Sequence, residues 1–304
     1  MTFSGSRGRA VLAVGATLLL AACSAGGGGG AAAPSATPSA TGTPYGTELD
    51  QALKTIGGGL GKAAGARTTA DLNIALAAVE ADSYHASRHL KGPGTPGGET
   101  AHADLVKALG SLSDETGALR ADLRGNKVCG LDAGKARLGA GQALSGVSAA
   151  VAKLTEAGYR SAFTVPELPE PVAQPRTLEN GTMIREGAQG GGGTLEIDDN
   201  AGQDAVFTIG RDGTALASVF VAKGQQASIE GIAAGSYDIS YTTGTDWDPE
   251  ARQFTQDCDF VKFQDKHEFT SKGGWTIWKI KIRAQDGRGN SKVQRQDANS
   301  APQP

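Results

Sequence analysis

Between residues 47 and 158 the apolar positions recur at alternating spacings of four and three, the period of helices that bury one face. Leu49, Leu53, Ile56 and Leu60 mark a first helix, which the pattern ends among Gly57 to Gly59 and Gly61. Leu72, Ala75, Leu76, Val79, Ala86 and Leu90 mark a second; Thr68 and Asp71 stand at capping-box spacing at its start. Gly92, Pro93, Gly94 and Pro96 then stop it. Leu105, Leu109, Leu112, Thr116, Leu119 and Leu123 follow a third seam. A fourth helix, capped by Asp132, carries Leu138, Leu144, Val147, Val151 and Leu154. Four amphipathic helices joined by short loops predict an N-terminal antiparallel four-helix bundle.

From Thr194 the period becomes two. Leu195 and Ile197 alternate with Glu196 and Asp198, Phe207 and Ile209 follow, and Leu216 to Val221 is apolar on both faces, as in a central strand. Ala227 to Ile232, then Tyr237, Ile239 and Tyr241, then residues 260–269 and 275–282 supply the remaining strands. Short strands separated by turn signals predict a C-terminal all-β sandwich over residues 194–284. Residues 159–193, with Pro166, Pro169, Pro171, Pro175 and the run Gly190 to Gly193, read as the boundary linker. Thr182 to Ile184 within it also reads as a first edge strand. The polar residues 285–304 predict a disordered tail.

Composition limits what these elements can build. The chain of 304 residues has 45 glycines and 5% aromatics, so modest folded units beside long unstructured stretches are expected. A formal charge of −3 without a basic run excludes a nucleic-acid partner. Residues 23–46 contain Gly26 to Gly30 and an Ala/Pro/Ser/Thr run, the composition of a flexible tether.

Residues 1–22 place Arg7 and Arg9 before an apolar segment from Ala10 to Ala22, the plan of a secretory signal and too short to span a bilayer. The stretch Leu20-Ala21-Ala22-Cys23-Ser24 resembles the lipobox of bacterial lipoproteins. That resemblance implies cleavage before Cys23, acylation of Cys23 with palmitate-like chains, and localisation on the outer face of the cell membrane. Two or three acyl chains exceed what stable anchoring requires. Cys129 and Cys258 are then an even pair in a compartment where disulfides persist. Bonded, they join the two modules; unbonded, they are two separately buried thiols.

Ile232-Ala233-Ala234-Gly235-Ser236-Tyr237-Asp238-Ile239, followed by Gly244-Thr245-Asp246-Trp247-Asp248, resembles the hairpin of PEGA-like and carboxypeptidase-regulatory-like bacterial modules. The resemblance spans about residues 177–284 and implies a structural or interaction unit without a catalytic centre.

Candidate chemistry is sparse. Asp82, His85 and His89 share one helix face, and a hairpin through Gly92 to Gly98 would carry His102 towards them, a donor set suited to Zn²⁺ or Cu²⁺. An ordinary solvated bundle end is the alternative. Asp246, Asp248, Glu250, Asp257 and Asp259 form an acidic stretch around Trp247, read as a Ca²⁺-holding loop or as a solvated loop with Trp247 packed at its edge. An exposed Trp247 would be a contact residue. Nucleophile elbow, P-loop and Ser-x-x-Lys patterns are absent. The expectation is a non-catalytic, lipid-anchored envelope protein that binds another envelope protein or a wall polymer, without a cofactor. The alternative is a divalent-metal-binding protein using Asp82, His85, His89 and His102.

Overall fold

The structure, a computed structural model, describes residues 43–93, 96–172, 175–187, 190–283, 293–296 and 302–304. The expected signal segment, Cys23, the tether up to residue 42, and residues 285–292 and 297–301 of the expected tail lie outside the described residues.

Among the described residues, five helices precede ten strands. Helix α1 (Pro44–Ala64) begins inside the expected tether. Thr43 caps it by accepting from the Gly46 N–H, and Pro44 occupies the first helical position, where a missing N–H costs nothing. The helix continues through the glycines expected to end it. A Cβ on Gly59 would lie 2.9 Å from Val79 Cγ2, so the glycine permits close approach to helix α2 (Thr69–His89). Thr68 accepts from the Asp71 N–H at the start of α2, as their spacing predicts.

Helix α3 (Pro96–Arg124) packs on α2 and is tied to it by the Arg120–Glu80 ion pair. The segment expected as one fourth helix is two: α4 (Leu131–Gly139) and α5 (Gln142–Glu156). Gly139 and Gly141 flank the break, and both are poor helix formers. Glu115 of α3 offers its carboxylate to the Ala143 N–H, satisfying a donor at the new helix start where Gly141 has no capping side chain. Leu49, Leu53, Ile56, Leu72, Leu76, Leu105, Leu109, Val147 and Leu154 fill the helical core.

Strands β1 (Met183–Arg185), β4 (Thr214–Val221), β3 (Asp204–Arg211), β6 (Gly235–Asp248), β7 (Gln253–Phe263) and β10 (Val293–Arg295) lie in that order in a seven-stranded sheet, with β8 (His267–Phe269) also paired to β6. A three-stranded sheet has the order β5 (Gln226–Ile232), β2 (Gly193–Asn200), β9 (Ile277–Arg283). Pairing is antiparallel except between β2 and β9, where Glu196 faces Lys279 and Asp198 faces Lys281 in register as ion pairs. Leu195, Ile197, Phe207, Val219, Ile239, Ile280 and Ile282 from both sheets share one core. Strands β3 and β4 are buried on both faces, because Val206 and Phe220 enter a separate cluster with Trp247, Phe254, Cys129 and Cys258.

The expected four-helix bundle followed by an all-β sandwich is thereby corrected to a five-helix region followed by a mostly antiparallel region of seven- and three-stranded sheets. The short β10 lies within the stretch expected as a disordered tail. Its three residues are all exposed and add to the β7 edge through backbone pairing, which hydropathy does not reveal. Among the described residues no helix is long and apolar enough to cross a membrane.

Candidate binding cleft

The α3–α4 turn carries Cys129 to the sheet region. There Val128 bridges Gln256, the Cys129 N–H donates to the Thr255 carbonyl at 2.8 Å, and the Cys258 N–H donates to the Asn126 carbonyl at 2.9 Å. This turn thus pairs with β7 as a strand would, and the Cys129–Cys258 disulfide locks it there with a Cα separation of 6.4 Å. Gly130 follows with φ +86°, and any Cβ at that position would meet the Gln253 amide. Only glycine suits both the backbone and the space.

Above this junction lies a cleft of about 800 Å³. Val128, Cys129, Phe254, Cys258 and Phe260 give it apolar surface, and Asn73, Asn126, Gln253 and Gln296 contribute amides. Three arginines line it from separate turns: Arg67 between α1 and α2, Arg124 at the last position of α3, and Arg252 between β6 and β7 with φ +51°. Thr68, Thr69 and Ala70 at the α2 N-terminus also line it, an end that carries partial positive charge. No aspartate or glutamate among the described residues lines it. Among the described residues, none of the three guanidiniums has a carboxylate within ion-pair distance. Residues 302–304 lie along the cleft, with Pro304 buried.

Of the acidic stretch around Trp247, Asp246 and Asp248 end β6, Glu250 lies in the turn that follows, and Asp257 and Asp259 lie in β7. The charges of Asp246 and Asp248 are matched from within the chain. Arg176, in the expected linker, donates its backbone N–H and Nε to Asp246 Oδ1 (2.8 and 3.0 Å) and its Nη2 to Oδ2 (2.7 Å). Its Nη1 also reaches Asp248 Oδ2 at 3.2 Å, and the Thr255 hydroxyl donates to Asp246. Burial by itself would raise the Asp246 carboxyl, but Arg176 and Thr255 together outweigh it and hold the group below its usual range. With Asp246 committed to an internal guanidinium, the Ca²⁺ reading loses its central ligand. Trp247, expected as a contact residue if exposed, is 2% exposed and packs edge-on against Phe220 and Phe254. The exposed tryptophans are Trp275, just before β9, and Trp278, within it.

Asp82, His85 and His89 line a second groove, about 510 Å³, between α1 and α2. The two imidazoles are 4.5 Å apart. His102 is not among the residues lining it; its Nδ1 is 3.0 Å from the Tyr45 hydroxyl, and burial lowers its pKa. Among the described residues no group of three or more His, Cys, Asp or Glu side chains is placed to hold a metal ion.

Asp199, at the end of β2, is fully buried. Its Oδ1 accepts the Ala201 N–H at 2.7 Å, while Oδ2 has no partner among the described residues. Burial pushes its carboxyl up from 3.8 to about 6. A raised folded value means that stability is full below pH 3.8 and is lost as pH rises through 6. Asp199→Asn should therefore stabilise the fold by about 1–2 kcal/mol above pH 6 and change little at pH 4. Urea unfolding at pH 4 and pH 8 checks this; equal gains at both values would contradict it.

No protein-family model, curated protein or solved structure matches the chain.

Proposed function

We propose that the chain is a non-catalytic binding protein of the cell envelope. An acylated Cys23 holds it on the outer face of the cell membrane, and the cleft beside the disulfide is its binding surface. The observation that carries this reading is the Cys129–Cys258 bond, which joins the helical and sheet regions beside the cleft. Such bonds persist outside the reducing cytosol, in the compartment that a lipobox-like Leu20-Ala21-Ala22-Cys23 implies. The glycine-rich stretch after Cys23 supplies a spacer between membrane and folded region. The partner is another envelope protein or a wall polymer, either of which a cleft of this size can accept in part.

Cys23→Ala should release the protein from the membrane fraction or leave an unprocessed precursor. Fractionation of cells expressing both forms, followed by immunoblotting, checks this. Unchanged processing and retention would contradict the anchor.

A further inference from the structure

We propose that the cleft grips an extended anionic polymer, whose phosphate or carboxylate groups pair with Arg67, Arg124 and Arg252. This rests on the reading of the cleft as the binding surface. The chain as a whole carries a formal charge of −3, yet three arginines line this cleft and, among the described residues, no aspartate or glutamate does. A cleft lined by one sign of charge focuses the field and draws the opposite sign.

The three arginines come from three separate turns, so they are distributed around the cleft instead of being clustered on one element. That arrangement suits a ligand with repeated charges better than a single small ion, for which 800 Å³ is far too large. Guanidinium forks match the oxygen geometry of phosphate and carboxylate. The adjoining α2 N-terminus favours the same charge; Asp71 in its first turn is exposed and does not line the cleft. The Gln253 amide offers both donor and acceptor for the hydroxyls of a polymer backbone, and the half-buried Phe260 offers apolar surface to its ring faces.

The full chain in an uncharged detergent, titrated into fluorescently labelled polyphosphate, polygalacturonate and neutral dextran, tests this by anisotropy. The expected result is binding of at least one anionic polymer that weakens as salt is raised, with none to dextran. Which anionic polymer binds identifies phosphate or carboxylate as the recognised group. Arg67→Gln, Arg124→Gln and Arg252→Gln should each weaken binding by about tenfold or more, with an unchanged unfolding midpoint. Lys107→Gln removes the same charge from an exposed site on α3 outside the cleft and should leave binding unchanged. Absence of anion binding at low salt, or equal loss in Lys107→Gln, would overturn the proposal. Dextran binding that the cleft substitutions weaken would overturn the anionic ligand yet keep the cleft as the binding surface.

Discussion

Replacing Cys129 and Cys258 together by serine should lower the unfolding free energy by about 3–5 kcal/mol. The two residues are 129 positions apart, so the bond closes a loop that takes in the last two helices, the linker and the sheet region as far as β7. On the chain-entropy account, closing a loop of that length restricts the unfolded chain by roughly 5 kcal/mol, and measured effects usually fall somewhat short. In the folded state the bond sits among Val206, Phe220, Trp247 and Phe254, so two serine hydroxyls would enter a largely apolar cluster, with only backbone carbonyls such as those of Asn126 and Phe254 as acceptors. Urea unfolding of the wild-type and the double variant, each followed by circular dichroism, measures the difference. Coincident midpoints would show that the bond contributes nothing. Peptide mapping without reductant should also recover residues 129 and 258 in one cross-linked pair, whereas two alkylatable thiols in native protein would show the bond to be absent.

Asp246→Ala should cost about 3–5 kcal/mol, the range for removing one partner of a buried pair. The Asp246 side chain is 1% exposed and that of Arg176 23%, so the guanidinium would be left partly buried without its main acceptor. Two further losses follow, since the Arg176 backbone N–H and the Thr255 hydroxyl lose their acceptor; Asp248 alone remains to balance Arg176. Because the folded carboxyl is held below its ordinary 3.8, the contribution is full above that value and is lost as pH falls through the lower folded value. A double-mutant cycle with Arg176→Met, read by urea unfolding at pH 7, isolates the pair. Additive effects of the two substitutions would show that they do not interact. The destabilisation of Asp246→Ala relative to wild-type should also shrink at pH 2–3, and a loss independent of pH would contradict the charge assignment.

Local patterns revealed much of this architecture. The leucine seams of α1, α2 and α3 repeat at helical spacing because each buries one stripe, and the same leucines form the helical core. The alternation in β2 is equally plain: Leu195 and Ile197 face inward while Glu196 and Asp198 meet lysines of β9. Glycine misled in both directions. Three consecutive glycines were expected to end α1, but in the fold Gly59 only makes room for Val79, a neighbour no local window contains. Gly139 and Gly141, spaced one residue apart, do interrupt a leucine seam that otherwise looks continuous.

The site was harder to see for a related reason. Asp246 and Asp248 looked like solvated or metal-holding carboxylates because their partner, Arg176, lies seventy positions away in a proline-rich stretch. Trp247 stands between two carboxylates, yet Asp246 turns to Arg176 and Thr255 while the indole packs on Phe220 and Phe254. Arg67, Arg124 and Arg252 carry no shared motif; only the folding of three distant turns about one disulfide brings them to a common cleft.

A tethered binder requires an acylated amino end on the mature chain. Intact-mass and peptide analysis of the protein extracted from its native membranes should find a first residue at Cys23 carrying the added mass of acyl chains. A mature chain whose first residue is unmodified, or lies elsewhere than Cys23, would contradict it.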